Sequence, residues 1–166
     1  ENSKGVYSIV GFELDHTLSE SGSVSRGICA YDKEQHLTDI VEHLNIAREA
    51  DGKVYGDNSL TGETHVELVA DNLCSMNMWG FTPDYFEKSE KIFESFLEQN
   101  INELKKEFYI PYAIDCMIKS GEAQTDVLST PSHWFGVTYK EDRPAVVAKF
   151  QEFADKGVYP TPLYTK

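Results

Sequence analysis

The pattern of apolar and polar positions predicts several strands in the first half of the chain. Residues 4–14 are rich in β-branched and aromatic side chains and are apolar on both faces, which is typical of a strand covered on two sides. We therefore expect this strand inside a sheet and not at its edge. Residues 26–31 and 37–43 are shorter strand-like runs joined by a polar turn, an arrangement that predicts a β-hairpin.

Two polar stretches interrupt this pattern. Residues 15–25 are dominated by serine, glutamate, histidine and glycine, so a loop is predicted there. Residues 45–64 contain several turn-forming glycines and predict a long excursion or a small flap. Loops of that length are uncommon in compact domains unless they are functional or mobile.

The second half of the chain alternates predicted strands with predicted helices. Strands are expected at residues 74–81, 123–128 and 134–139. Between the first two, Thr82 as N-cap and Pro83 at the first helical position predict the start of an amphipathic helix. Its apolar stripe, at helical spacing, consists of Tyr85, Phe86, Ile92, Phe93, Phe96 and Leu97.

Two further helices are predicted, one at residues 111–119 and one from Pro144 to Gly157, with Asp142 as its N-cap. Because strands and helices are interleaved and a hairpin also occurs, the predicted fold class is α/β, with a mixed β-sheet flanked by helices. The length of 166 residues favours a single domain.

The charge balance changes the list of plausible partners. The chain has 28 acidic and 15 basic residues, which gives a formal net charge of -13. Binding to nucleic acid or to an anionic membrane surface requires clustered lysine and arginine, and the few basic residues here are scattered. We therefore expect no nucleic-acid partner and no membrane partner.

The three cysteines, Cys29, Cys74 and Cys116, are far apart and have no metal-ligand spacing. An odd, dispersed set does not suggest a disulfide framework, so a reducing, cytoplasmic setting is predicted. No apolar run approaches the length of about 18 residues that would suggest a membrane span.

Known catalytic motifs are missing from the sequence, which has no glycine-rich phosphate loop and no nucleophile elbow. Residues 23–27 form a polar loop in which backbone amides and Arg26 could hold an anion. Alternatively, Arg26 pairs with one of the many acids and Gly27 marks a bulge. Glu42, at the end of an apolar run, could accept hydrogen bonds from sugar hydroxyls, or it is an ordinary acid at a strand end.

Two more groups could contact a ligand. Asn77 lies in an otherwise apolar run and needs hydrogen-bond partners, which a ligand or a neighbouring loop would supply. Residues 140–143 include Lys140 at a predicted strand-to-helix junction, where backbone amides favour anions. Helix capping by Asp142 and surface ion pairs explain the same residues without a ligand.

Four segments of the chain form a recognisable pattern through their sequences and their order along the chain. They are residues 25–29, 37–42, 75–86 and 134–144. They resemble the C-terminal part of bacterial nucleotidyltransferases related to sugar-1-phosphate nucleotidyltransferases such as glucose-1-phosphate thymidylyltransferase. The resemblance extends from residue 4 to about residue 163.

This resemblance implies a partial Rossmann-like nucleotidyltransferase fold. Residues 1–166 would form its C-terminal, sugar-binding part, and the N-terminal nucleotide-binding half would be absent. The family's glycine-rich loop, its lysine and its metal-binding aspartate would lie upstream of Glu1. A start at Glu1, without Met, agrees with such a truncation, and the isolated chain is expected to be inactive.

The resemblance also implies roles for individual residues. Glu42 matches the glutamate that binds sugar hydroxyls in a Glu-Lys-Pro motif, and His43 replaces the phosphate-binding lysine of that motif. Gly27 matches a glycine near the sugar. Asn77 aligns with a small residue that lines the sugar pocket.

The implied cofactor is Mg²⁺, with its main ligand upstream of this chain. Gly136 occupies the position of a second metal-binding aspartate, so Asp142 or Glu141 is the candidate ligand here. The implied partners are an NTP and a sugar phosphate, and a homo-oligomer stays an open alternative. In the implied reaction, a sugar-1-phosphate or similar phosphate attacks the α-phosphorus of the NTP and pyrophosphate is released.

Two other classes of function remain open at this stage. One is a non-catalytic sugar-phosphate-binding or regulatory module, complete in itself. The other is a structural interaction domain that uses the charged face of residues 84–107, a face that is more simply explained as solvated surface.

Overall fold

A computed structural model describes residues 4–19, 22–137 and 140–164 of the chain. The chain divides into two compact units, Glu1–Ser132 and His133–Lys166. In the described part of the chain, the first unit contains a seven-stranded sheet, and the second contains an α-helix of 13 residues preceded by a short 3-10 helix.

The sheet is mixed and has the strand order β5-β4-β3-β2-β6-β1-β7. β1 and β7 run parallel, and all other neighbouring strands are antiparallel. The strands are β1 (Val6–Glu13), β2 (Val24–Tyr31), β3 (Leu37–Arg48), β4 (Val54–Asn58), β5 (Val66–Leu68), β6 (Leu73–Gly80) and β7 (Gln124–Thr130). The helices are α1 (Asp84–Asn100), α2 (Ile110–Lys119) and α3 (Arg143–Asp155), with short 3-10 helices at Leu14–Thr17 and Lys140–Asp142. The predicted α/β class, with a mixed sheet flanked by helices, is confirmed.

Two apolar cores lie on opposite faces of the sheet. Leu73 belongs to the first core and its neighbour Cys74 to the second, and successive side chains of a strand point to opposite faces. The first core joins Tyr7 and Ile9 of β1 to Ile114 of α2. The second core is built from Leu14, Ile46, Val54, Leu68 and Cys74. Both faces of the central strands are therefore covered.

The predicted interior position of the first strand is confirmed, because β1 lies between β6 and β7. The predicted hairpin is also confirmed, as β2 and β3 pair antiparallel. The helix after Thr82 begins at Asp84, with Pro83 and not Thr82 as the N-cap. The Thr82 hydroxyl instead donates a hydrogen bond to the Asp84 carboxylate.

Residues 45–64 were predicted as a long excursion or a small flap, but they contain regular strands, because β3 extends to Arg48 and β4 follows. The reason is that Ile46 and Val54, isolated apolar residues in a polar stretch, are 0% and 1% exposed in the second core. Residues 134–137 do not form the predicted strand, and residues 138–139 lie outside the described residues. Phe135 packs its ring on α3 instead, with centroid distances of 5.4 Å to Phe150 and 5.8 Å to Phe153.

None of the helices in the described ranges combines the length and the apolar character needed to cross a membrane.

Asp84 connects the start of α1 to β1. Its Oδ2 accepts hydrogen bonds from the Gly5 amide at 2.9 Å and from the Tyr7 hydroxyl at 3.2 Å. The same oxygen lies 2.8 Å from the Lys88 ammonium. These contacts hold the pKa of the Asp84 carboxyl well below its usual value. The hydrogen bond from Lys88 has the largest effect, and the hydrogen bond from Thr82 has the next largest.

Replacing Asp84 with asparagine is therefore expected to lower stability at neutral pH and to matter less in acid. A carboxylate with a lowered folded-state pKa stabilises the fold above its unfolded pKa of about 3.9 and loses that contribution as the pH falls through the folded value. Urea midpoints at neutral pH and below about pH 3 measure the effect. Asp71→Asn, at an exposed turn position, is the control. A deficit that persists unchanged in acid would contradict the role of the Asp84 charge.

Thr125 of β7 is a buried polar residue without a hydrogen-bond partner in the described structure. It is 0% exposed, and its Oγ1 makes no hydrogen bond to any described residue. A buried hydroxyl of this kind costs stability, so Thr125→Val is expected to raise the free energy of unfolding by about 1 kcal/mol. Urea denaturation measures the change, and a loss of stability would show that the hydroxyl is satisfied.

Candidate ligand-binding site

Three neighbouring strands bring Glu42, Gly27 and Ser75 into one row. Gly27 of β2 lies opposite Glu42 of β3 on one side and opposite Ser75 of β6 on the other. A Cβ atom placed on Gly27 would lie 3.5 Å from Glu42 Oε2 and 3.8 Å from Ser75 Cβ. The carboxylate and the hydroxyl therefore flank the glycine on the same face of the sheet.

Glycine is required at position 27 by the packing of the hairpin. A Cβ there would lie only 2.7 Å from Ile40 Cγ2, so any larger residue would displace that side chain. Because residue 27 is glycine, β2 places no side chain between Glu42 and Ser75. The floor between these two polar groups is thus formed by backbone and by the Ile40 methyl group.

Tyr109 lies at the start of α2, the helix that packs against the strand of Glu42. It is the N-cap residue of α2 and has the extended backbone angles typical of that position, φ -88° and ψ 146°. Tyr109 is 58% exposed. A hydrogen bond with Glu107 is the main cause that raises the pKa of its phenol, and the charge of Glu42 raises it further.

α2 packs against β3, the strand that carries Glu42, and Tyr109 is the residue at which this helix starts.

The Glu42 carboxyl lies in a partly desolvated position. Desolvation by surrounding protein raises its pKa, and the charges of Arg26 and His43 oppose this rise. An ionised carboxylate is a hydrogen-bond acceptor only, so in this position it suits a ligand that offers hydroxyl or ammonium donors.

Arg26 and His43 lie on the other face of the sheet, because side chains alternate along β2 and β3. Arg26 donates from Nε to Thr17 Oγ1 at 3.1 Å and from Nη2 to the Thr17 carbonyl at 2.6 Å. His43 is 6% exposed, and its Nδ1 lies 3.0 Å from the Val41 carbonyl oxygen. From this face, the charge of Arg26 partly offsets the rise in the pKa of Glu42 that desolvation causes. Direct contact of Arg26 with a ligand stays a prediction.

Asn77 lies in a β-bulge at the end of the same row. Gly11 pairs with Ser75 and Ile9 with Trp79, so three residues of β6 oppose one residue of β1. Asn77 is exposed, with φ at 56°, and its backbone amide donates to Ser75 Oγ at 3.2 Å. The bulge thus connects Asn77 to the hydroxyl that flanks Gly27.

The remaining predicted residues belong to the second unit. Lys140 and Asp142 form the short 3-10 helix before α3, and Lys140 is exposed. Across residues 4–19, 22–137 and 140–164, no group of three histidine, cysteine, aspartate or glutamate side chains could hold a metal ion. The Mg²⁺ cofactor, with Asp142 or Glu141 as its ligand in this chain, stays a prediction.

The structure brings together Gly27 and Glu42 from the predicted set, with Asn77 beside them. It adds two residues that were not among the predicted site residues. Ser75 needed the non-local pairing of β2 with β6, and Tyr109 needed the packing of α2 on β3. The one local signal for Tyr109 was the helix-starting Pro111 two positions later.

Comparison with models of known protein families finds no match to this chain, and comparison with curated proteins finds none either.

Proposed function

We propose that the first unit binds the phosphorylated acceptor of a nucleotidyltransferase reaction. The acceptor is a sugar-1-phosphate or a similar phosphate ester, and the fold is a variant of the Rossmann-like nucleotidyltransferase fold. The proposal rests on the sequence resemblance and on one structural observation, the row of Glu42, Gly27 and Ser75, with Tyr109 at the start of the helix that packs on β3.

The row offers the chemistry that a sugar needs. Glu42 is an acceptor for two sugar hydroxyls, and the hydroxyls of Ser75 and Tyr109 can either donate or accept. Gly27 keeps the space between Glu42 and Ser75 free of a side chain. A few converging polar groups around an apolar floor are typical of sites that orient small ligands.

In the proposed reaction, a phosphate oxygen of the acceptor forms a bond to the α-phosphorus of an NTP. The bond between the α-phosphorus and the bridging oxygen of the β-phosphate breaks, and pyrophosphate leaves with that electron pair. Glu42, Ser75 and Tyr109 hold the sugar so that its phosphate is in line with the leaving group. Such positioning is the main contribution of a protein to phosphoryl transfer.

Calorimetric titration of the full-length protein with glucose-1-phosphate, and separately with inorganic phosphate, tests the acceptor site. We expect saturable binding of the sugar phosphate that is tighter than that of phosphate. Pyrophosphate release with each of the four common NTPs and Mg²⁺ then tests transfer. Binding without pyrophosphate release would favour the non-catalytic binding module, and equal affinities for the two phosphates would contradict a sugar site.

A further inference from the structure

The outward face of α1 leaves large apolar side chains in contact with solvent. Phe86 is 70% exposed, and Phe93 and Leu97 are each 41% exposed. They follow one another at intervals of seven and four residues, so they lie on one side of the helix. Within the apolar stripe of α1, Tyr85 and Ile92 pack in the first core, whereas Phe86, Phe93 and Leu97 do not belong to it.

A shallow, open groove runs beside this face. It has a volume of about 500 Å³ and is lined by Phe86, Glu87, Ser89, Glu90, Phe93 and Phe108. Its floor is aromatic, and the rings of Phe93 and Phe108 are 5.1 Å apart. Contiguous exposed apolar surface with a polar rim is typical of protein-interaction sites.

The rim of the groove is acidic. Glu87 and Glu90 are both exposed, and α1 as a whole carries five acidic residues against two lysines. Lys88 is held at Asp84, 2.8 Å away. Residues 84–107 together carry seven acids and four lysines, so the charge around the aromatic floor is negative, in keeping with the net charge of the chain.

The negative charge around the groove favours one kind of binding partner over two others. A second copy would present an α1 face that is itself acidic, so a symmetric dimer formed through this face would bring like charges together. An anionic membrane would meet the same repulsion. A helix with apolar residues at intervals of three and four, flanked by lysine or arginine, matches both the floor and the rim.

We propose that the α1 groove is a docking site for a basic amphipathic helix of a partner protein. Two or three apolar side chains of the partner helix occupy the aromatic floor. Its lysine or arginine residues lie against Glu87 and Glu90. This function is separate from the acceptor site at Glu42.

Fluorescence anisotropy of the full-length protein with a labelled synthetic peptide tests the proposal. The probe is an amphipathic helix built from leucine, lysine and arginine, and a matched peptide carries glutamate at the basic positions. We expect saturable binding of the basic peptide that is at least about tenfold tighter than that of the acidic one. Phe86→Ser and Glu90→Lys should each weaken it by about tenfold.

Leu60→Ser is the matched control, because Leu60 is 73% exposed at the turn after β4 and does not line the groove. It should leave peptide binding unchanged, and circular dichroism should show that all three variants fold. The proposal is overturned if the basic peptide does not saturate, if Leu60→Ser weakens binding as much as Phe86→Ser, or if Glu90→Lys has no effect. Sedimentation equilibrium that shows a dimer lost in Phe86→Ser would assign the groove to a second copy of this chain instead.

Discussion

Replacing Glu42 with glutamine is expected to weaken the binding of a sugar phosphate by about tenfold to a hundredfold. Hydrogen bonds to a charged group contribute about 1.5–3 kcal/mol, and glutamine keeps the shape of glutamate but loses the charge and one acceptor oxygen. Affinity for the NTP should stay the same, because Glu42 is placed at the acceptor. Calorimetric titration with glucose-1-phosphate measures the first effect, and titration with the NTP measures the second.

The matched control for this experiment is Glu34→Gln, at the exposed turn between β2 and β3. This variant loses the same charge from the chain, so it corrects for long-range electrostatics. An affinity for sugar phosphate that falls equally in both variants, or in neither, would remove Glu42 from the site.

The affinity of the wild-type protein for the acceptor should also decrease in acid. Because the pKa of Glu42 is raised, its carboxylate becomes protonated at a higher pH than an ordinary glutamate does.

Ile114→Ala is expected to give the largest loss of stability among single substitutions in α2. Ile114 is 0% exposed and belongs to the core that joins α2 to β1. Truncating a buried isoleucine to alanine costs about 2–5 kcal/mol, because transfer free energy is lost and a cavity remains. Urea unfolding at neutral pH measures the difference in the free energy of unfolding.

Ile101→Ala provides the comparison for Ile114→Ala, because it is the same chemical change at a residue that is 75% exposed. Its cost should be below about 0.5 kcal/mol. Similar losses in the two variants would mean that α2 does not pack on the sheet as described. If Ile114→Ala still folds, it should also weaken sugar-phosphate binding, since Tyr109 belongs to α2 and α2 packs on the strand of Glu42.

The parts of the fold that could be predicted are those that depend on local pattern. Residues 4–14 are apolar on both faces, and this alone indicated an interior strand. β4 was missed because its burial depends on Val54, one apolar residue next to a glycine turn, which packs on residues distant in sequence. The strand expected at residues 134–139 failed because aromatic residues favour strands in general, whereas Phe135 finds aromatic partners on α3.

The candidate site could also be predicted only as far as it depends on local pattern. The hairpin was predictable, but the register that sets Gly27 opposite Glu42 also depends on irregular pairing along β2 and β3. Ser75 reaches the row only because β6 pairs with β2, a contact between segments almost 50 residues apart. Sequence pattern identified the type of residue at the site, and tertiary pairing determined which residues meet.

The position of β1 between β6 and β7 has a consequence for synthesis of the protein. β1 pairs with β7 across more than 100 residues, from Val6 with Gln124 to Phe12 with Thr130. During translation, one edge of β1 therefore stays unpaired until nearly the whole first unit has left the ribosome. Such long-range pairing slows folding and prolongs the time in which an apolar strand can associate wrongly. We expect the nascent chain to depend on chaperones until β7 is made.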